Sequence, residues 1–150
     1  EYRLISIPDT RFYHCNIKTL NLIPNVMAAQ QASEAGCNET VFVRDGYVTE
    51  CSHSNISMVK DGVFITHPLD NLILPGTERK HIIRWCGELG IPVKERAFTL
   101  EELYTADEIL VTSTSHPSMR AMELNQKAVG MKNPELIQKL RDKYLNEIGK

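Results

Sequence analysis

Short runs rich in β-branched and aromatic residues punctuate this chain, and two of them end in an Asp-Gly pair. Thr40-Val41-Phe42-Val43-Arg44 leads through Asp45-Gly46 into Tyr47-Val48-Thr49, a strong short-range hairpin signal. Ile56-Ser57-Met58-Val59 and Val63-Phe64-Ile65-Thr66 flank Lys60-Asp61-Gly62 in the same way. Two consecutive hairpins predict a mostly antiparallel sheet. Tyr2-Arg3-Leu4-Ile5-Ser6-Ile7 reads as a further strand, as do the segments at 91–95 and 107–112.

Helical spacing takes over elsewhere. Residues 22–36 place Leu22, Val26, Met27 and Ala29 in a helix closed by Gly36, where glycine supplies a left-handed stop. Between Thr77 and Leu89 the residues Ile82, Ile83, Cys86 and Leu89 share one stripe, with Gly90 and Pro92 as terminators. Thr99 with Glu102 three positions on has capping-box spacing and opens a short helix. From Pro134 to Ile148, Leu136, Ile137, Leu140, Tyr144, Leu145 and Ile148 form an apolar stripe that should pack on the sheet. With no repeat, low-complexity stretch or linker, the expected class is a single α+β domain. Trp85 and Met58 are read as core.

Charge and cysteines narrow the function classes. The 150 residues carry 17 Lys+Arg against 19 Asp+Glu, a net charge of −2 without a basic run, so nucleic acid is not an expected partner. No apolar stretch reaches the ~18–20 residues of a membrane span, and no basic-then-apolar leader opens the chain. Cys15, Cys37, Cys51 and Cys86 are irregularly spaced, which fits reduced thiols in a cytoplasm. The five histidines lack zinc-ligand spacing, so no metal is expected. G-x-G-x-x-G, P-loop and G-x-S-x-G motifs are absent. His53-Ser54 makes no hydrolase pair, because neighbours on a strand face opposite ways.

Three segments carry candidate chemistry: His14-Cys15-Asn16-Ile17-Lys18-Thr19-Leu20-Asn21, Val48-Thr49-Glu50-Cys51-Ser52-His53-Ser54-Asn55 and Leu72-Ile73-Leu74-Pro75-Gly76-Thr77-Glu78-Arg79. Lys18 lies between Ile17 and Leu20, an apolar setting of the kind that favours an uncharged, nucleophilic amine. Gly76-Thr77-Glu78 opens a helix, where unpaired backbone N–H groups suit a phosphate. Thr112-Ser113-Thr114-Ser115 follows a strand, as a plain turn or as a set of hydroxyl donors.

Together these segments resemble the class IV aminotransferases, whose cofactor is pyridoxal 5′-phosphate (PLP). The resemblance is closest to the D-amino acid aminotransferases, with branched-chain aminotransferases and aminodeoxychorismate lyases as relatives. It implies a sheet curled into a pseudo-barrel with packed helices. It also implies that residues 1–150 are a C-terminal PLP-binding domain, separated from a smaller N-terminal domain that would precede it, and the abrupt start at Glu1 agrees. Lys18 would hold the cofactor as a Schiff base and move the substrate Cα proton, while Glu50 would pair with the pyridine nitrogen. Leu74 would pack on the ring, Ser54 and Asn55 would order its surroundings, and Arg11 would lie near it. Gly76, Thr77, Ser113 and Thr114 would hold the phosphate. Family members commonly carry Thr or Ser where Glu78 stands, so only its amide is carried over, and its carboxylate is expected to turn away.

The implied reaction exchanges an amino group between a D-amino acid such as D-alanine and a 2-oxo acid. Branched-chain L-amino acid transamination and aminodeoxychorismate cleavage are the alternatives within the family. A non-catalytic cofactor-binding or interaction module is the alternative outside it. A homodimer is the implied assembly.

Overall fold

A computed structural model describes residues 1–116 and 118–148. Its strands are β1 (Tyr2–Pro8), β2 (Glu39–Arg44), β3 (Tyr47–Cys51), β4 (Asn55–Lys60), β5 (Val63–Thr66), β6 (Val93–Glu95), β7 (Glu108–Thr112), β8 (Met119–Leu124) and β9 (Lys127–Ala128). The helices are α1 (Ile23–Glu34), α2 (Thr77–Glu88), α3 (Leu100–Thr105) and α4 (Pro134–Glu147). Both Asp-Gly pairs make the predicted hairpins. Asp45 and Gly46 have φ of 51° and 84°, and Asp61 and Gly62 have 50° and 75°, the left-handed pairs that match strand twist.

One sheet runs β3-β2-β1-β8-β7-β4-β5-β6, with β9 beside β8. The hairpins and the β4–β7, β7–β8 and β8–β9 pairs are antiparallel, whereas β1 runs parallel to β2 and β8, and β5 parallel to β6. The sheet curls until its margins meet. The Val48 N–H donates to the Phe98 carbonyl at 2.8 Å, and Tyr47 bridges Thr99, joining β3 to the chain just after β6. The expected α+β half-barrel with packed helices is the observed fold.

Strand alternation builds two cores, because successive side chains point to opposite faces. Met58, Ile65, Ile109 and Val111 face inward with Leu4, Val41, Val48, Phe98 and Leu103. Their neighbours Val59, Phe64 and Leu110 face outward onto Ile82, Trp85 and Cys86 of α2 and Leu136 and Leu140 of α4. The α3 capping box is present in full, with the Glu102 N–H on the Thr99 hydroxyl and the Thr99 N–H on the Glu102 carboxylate.

At the C-terminal end of α4, Leu145 and Ile148 of the stripe expected to pack are 48% and 38% exposed, and two further features were not read from the sequence. In α1 the buried face is Ala28 and Ala32, while Leu22, Ile23, Val26 and Met27 are exposed. Small residues let α1 lie close to the sheet, where the Thr40 hydroxyl donates to the Ala28 carbonyl at 2.7 Å. The β8–β9 hairpin carried no recognised signal. Its strands include Ala, Glu and Lys, which are depleted in strands, and its turn is Asn125-Gln126 with φ of 48° and 64°. Asn125 fixes that turn by accepting from the Ser6 N–H and donating to the Ser6 and Tyr104 hydroxyls.

Candidate cofactor site

The loop between β1 and α1, the end of β3, the start of β4, the start of α2 and the end of β7 enclose a cavity of about 230 Å³. All three candidate segments reach it. Lys18, Glu50, Ser54, Asn55, Leu74, Gly76, Thr77, Glu78, Ser113, Thr114 and Arg11 all line it. Cys15 pins the lysine loop, its N–H donating to the Asn71 carbonyl at 2.9 Å while the Asn71 amide returns to the Tyr13 carbonyl. Lys18 itself is exposed. The flanking residues do not desolvate it within this chain, since Ile17 is 55% and Leu20 98% exposed.

Glu50 is the best-defined group. Its Oε1 accepts from Arg11 Nη1 at 2.5 Å, and its Oε2 accepts from the Asn55 amide and the Leu74 N–H, both at 3.0 Å. A carboxylate has about four acceptor positions, so one is left unfilled among the described residues. Burial pushes the Glu50 pKa up to about 7, against the opposing pull of Arg11 and the Leu74 N–H. Arg11 is itself buried, with salt bridges to Asp9 and Glu50 and hydrogen bonds to the Thr49 hydroxyl and the Leu72 carbonyl. Arg11 thus holds the Glu50 carboxylate as an orienting cation.

Gly76 is required by contact, since its φ of −68° suits any residue. A Cβ there would fall 2.1 Å from Asn55 Oδ1. The Asn55 amide thus ties Glu50 to the Leu74 carbonyl, at 2.9 Å, across the backbone that begins α2. Ser54 is turned to Glu39, donating at 3.1 Å. Glu39 is fully buried and also accepts from the Ser52 hydroxyl, the Ser52 and Thr40 N–H groups and His53 Nδ1. Burial would raise the Glu39 pKa, but hydrogen bonds from His53 and Ser52 hold it below the usual range. The same bond raises His53. Ser113 accepts from the His116 N–H at 3.2 Å.

Glu78 is one of the cavity-lining residues at 7% exposure, and its Oε2 is buried without a hydrogen-bond partner among the described residues. Asp9 and Glu39, which support Arg11 and the β3–β4 turn, were not identified from sequence. Single acids at strand margins carry no motif, and their partners lie in other segments.

The class IV amino-transferase pattern matches residues 4–124. This chain belongs to the class IV aminotransferase family. It is similar to the D-alanine aminotransferase of Listeria monocytogenes serotype 4b, 42% identical over 147 residues, covering 97% of this chain and 50% of the relative. In fold it is similar to a Legionella pneumophila protein assigned as a 4-amino-4-deoxychorismate lyase (TM-score 0.88, 26% identity, 97% of this chain and 55% of that one). It also matches the Thermobaculum terrenum branched-chain aminotransferase in its PLP form (TM-score 0.85, 25% identity, 95% and 49%). The chain spans about half the length of the curated relatives it matches. Class IV aminotransferases are PLP-dependent.

The cavity suits that cofactor. A buried carboxylate with a free acceptor position fits a protonated ring nitrogen, and a helix start beside hydroxyls fits a phosphate. Among the described residues no group of three His, Cys, Asp or Glu is placed to hold a metal, and no helix is long and apolar enough to cross a membrane.

Proposed function

We propose that this chain is the cofactor-binding half of an enzyme that transfers amino groups between D-amino acids, such as D-alanine, and 2-oxo acids. The observation that carries this reading is the meeting of Lys18 and the buried Glu50 in one cavity. PLP, when bound, supplies the electrophilic carbon and the electron-withdrawing ring. Lys18 is the residue that would link to it and, once released, take the proton from the substrate Cα and return it to the other carbon. One amine then serves as tether, base and acid. Glu50, ionised by a cationic partner at its free acceptor position, keeps that partner protonated, and Arg11 and Asn55 hold the carboxylate in place. Leu74 offers the ring an apolar surface, and Thr77, Ser113 and Thr114 supply phosphate donors.

Phe12, Ile17, Leu20, Leu22, Ile23, Val26 and Met27 are exposed in one sequence stretch; Phe12, Ile17 and Leu22 line the cavity, and Ile23, Val26 and Met27 lie on α1. An apolar surface of this kind marks an interface. We read it as the seat of an N-terminal domain that closes the site and anchors the substrate carboxylate, in an enzyme acting as a homodimer. The 150 residues alone then have little or no turnover. The D-substrate preference rests on the D-alanine aminotransferase relatives.

Borohydride reduction after PLP addition, followed by peptide mapping, tests the lysine assignment. Label on the Lys18 peptide that disappears in Lys18→Ala is expected, and label spread over other lysines would refute it. Assay of the full-length enzyme with both enantiomers of alanine and glutamate tests the stereochemistry, and turnover of the L-forms alone would overturn it.

A further inference from the structure

We infer that Glu78 acts as a neutral carboxylic acid in this cavity, donating its O–H to an oxygen of the bound phosphate ester, so that phosphate capture is coupled to proton uptake. This inference rests on the reading that the cavity holds PLP.

Glu78 lines the cavity. It stands in the first turn of α2, and its buried Oε2 has no partner among the described residues. The adjacent Arg79 cannot neutralise it, because its guanidinium is held by the Thr66 hydroxyl, the His67 carbonyl and Glu95. The other titratable groups lining the cavity are Arg11, Cys15 and Lys18 from the loop before α1, Glu50 and Cys51 from β3 and His53 from the β3–β4 turn. On α2, His81 acts on Glu78 in the opposite direction to burial, which pushes the carboxyl pKa up. Thr77, Ser113 and Thr114 share the cavity wall.

A phosphate ester carries close to two negative charges near neutral pH. An ionised carboxylate beside it would be repelled, and like charges in one site drive a proton onto one of them. Once protonated, the acid becomes a donor, and O–H to anionic oxygen is a strong hydrogen bond. The balance is one solvent proton taken up by the Glu78 carboxylate for each phosphate bound, at pH values where the empty site is ionised.

Pyridoxamine 5′-phosphate is the probe, because it has no aldehyde to react with Lys18, and pyridoxamine is its phosphate-free control. Calorimetric titrations from pH 6 to 9, in buffers of different ionisation enthalpy, compare the wild type with Glu78→Gln and Glu78→Thr. The wild-type to Glu78→Gln ratio of Kd for pyridoxamine 5′-phosphate should climb, approaching tenfold per pH unit above the carboxyl pKa. The wild type should take up more protons than either variant, while the pyridoxamine ratio stays flat. Taking the ratio removes the phosphate's own titration. Binding of the probe by both proteins with a pH-independent ratio would overturn the inference and leave the cofactor reading standing. Failure of every protein to bind it at any pH would overturn both.

Discussion

Replacing Gly76 by Ala tests how tightly the site is built. The backbone at 76 is extended, with φ of −68° and ψ of 140°, so the added methyl meets no conformational penalty and its effect comes from contact alone. The new Cβ would lie 2.1 Å from Asn55 Oδ1 and 3.3 Å from its Cγ. Asn55 begins β4 and pairs there with Thr112, so its backbone is held and its side chain must rotate away. That rotation breaks the amide's bonds to Glu50 Oε2 and to the Leu74 carbonyl. A hydrogen bond to a charged group contributes about 1.5–3 kcal/mol and a neutral one about 1 kcal/mol. Against this, Ala restricts the unfolded chain and returns about 0.4–1 kcal/mol. The net loss is about 2–3 kcal/mol, which for this size lowers Tm by roughly 5–10 °C. Thermal and urea unfolding of Gly76→Ala, Asn55→Ala and the double variant measure it. The double variant should be no less stable than Asn55→Ala, a coupling of about 2 kcal/mol. A Tm within about 2 °C of wild type, or additive losses in the double variant, would refute the contact argument.

Three further outcomes are expected. Glu50 has its pKa raised from 4.5 to about 7, so between those values the fold binds more protons than the unfolded chain and loses stability as pH rises. Glu50→Gln should therefore gain about 3 kcal/mol relative to wild type between pH 4.5 and 8 by urea unfolding, and a pH-independent difference would count against the buried-acid reading. His53, raised by its bond to Glu39, should titrate above 6.5 by proton NMR and fall back in Glu39→Gln; an unchanged midpoint would contradict the pairing. Thr99→Ala removes the observed α3 capping box and should cost about 1 kcal/mol in chemical unfolding, with a neutral result arguing against it.

The parts of the fold governed by local chemistry were legible along the chain. Asp45-Gly46 and Asp61-Gly62 set their turns through their own φ preferences, and Thr99 with Glu102 capped its helix without help from distant residues. The β8–β9 hairpin was not legible, because its turn depends on Asn125 finding Ser6 and Tyr104 across the fold. The exposed face of α1 followed the same rule. Close approach to the sheet buries Ala28 and Ala32 and leaves the larger apolar residues of α1 exposed. At the site, the residues inside motifs were found, while the groups that orient them were not. Asp9 supports Arg11, which supports Glu50, and each link joins separate segments.

The features that weaken this domain on its own meet in one place. Glu50 is a buried acid held near pKa 7, Glu78 has a buried oxygen with no partner among the described residues, and the loop bearing Lys18 exposes Ile17 and Leu20. Selection for stability alone would remove each by an apolar or neutral substitution. Under the proposed function, a ring cation would ionise Glu50 and offset its desolvation, a phosphate would give a Glu78 acid an acceptor, and an N-terminal domain would bury the apolar rim. Ligand binding would therefore stabilise the fold by more than its contact area suggests, because it removes costs already present in the empty site. Perturbed groups gathered in one cavity with complementary demands are a stronger argument for function than any one of them.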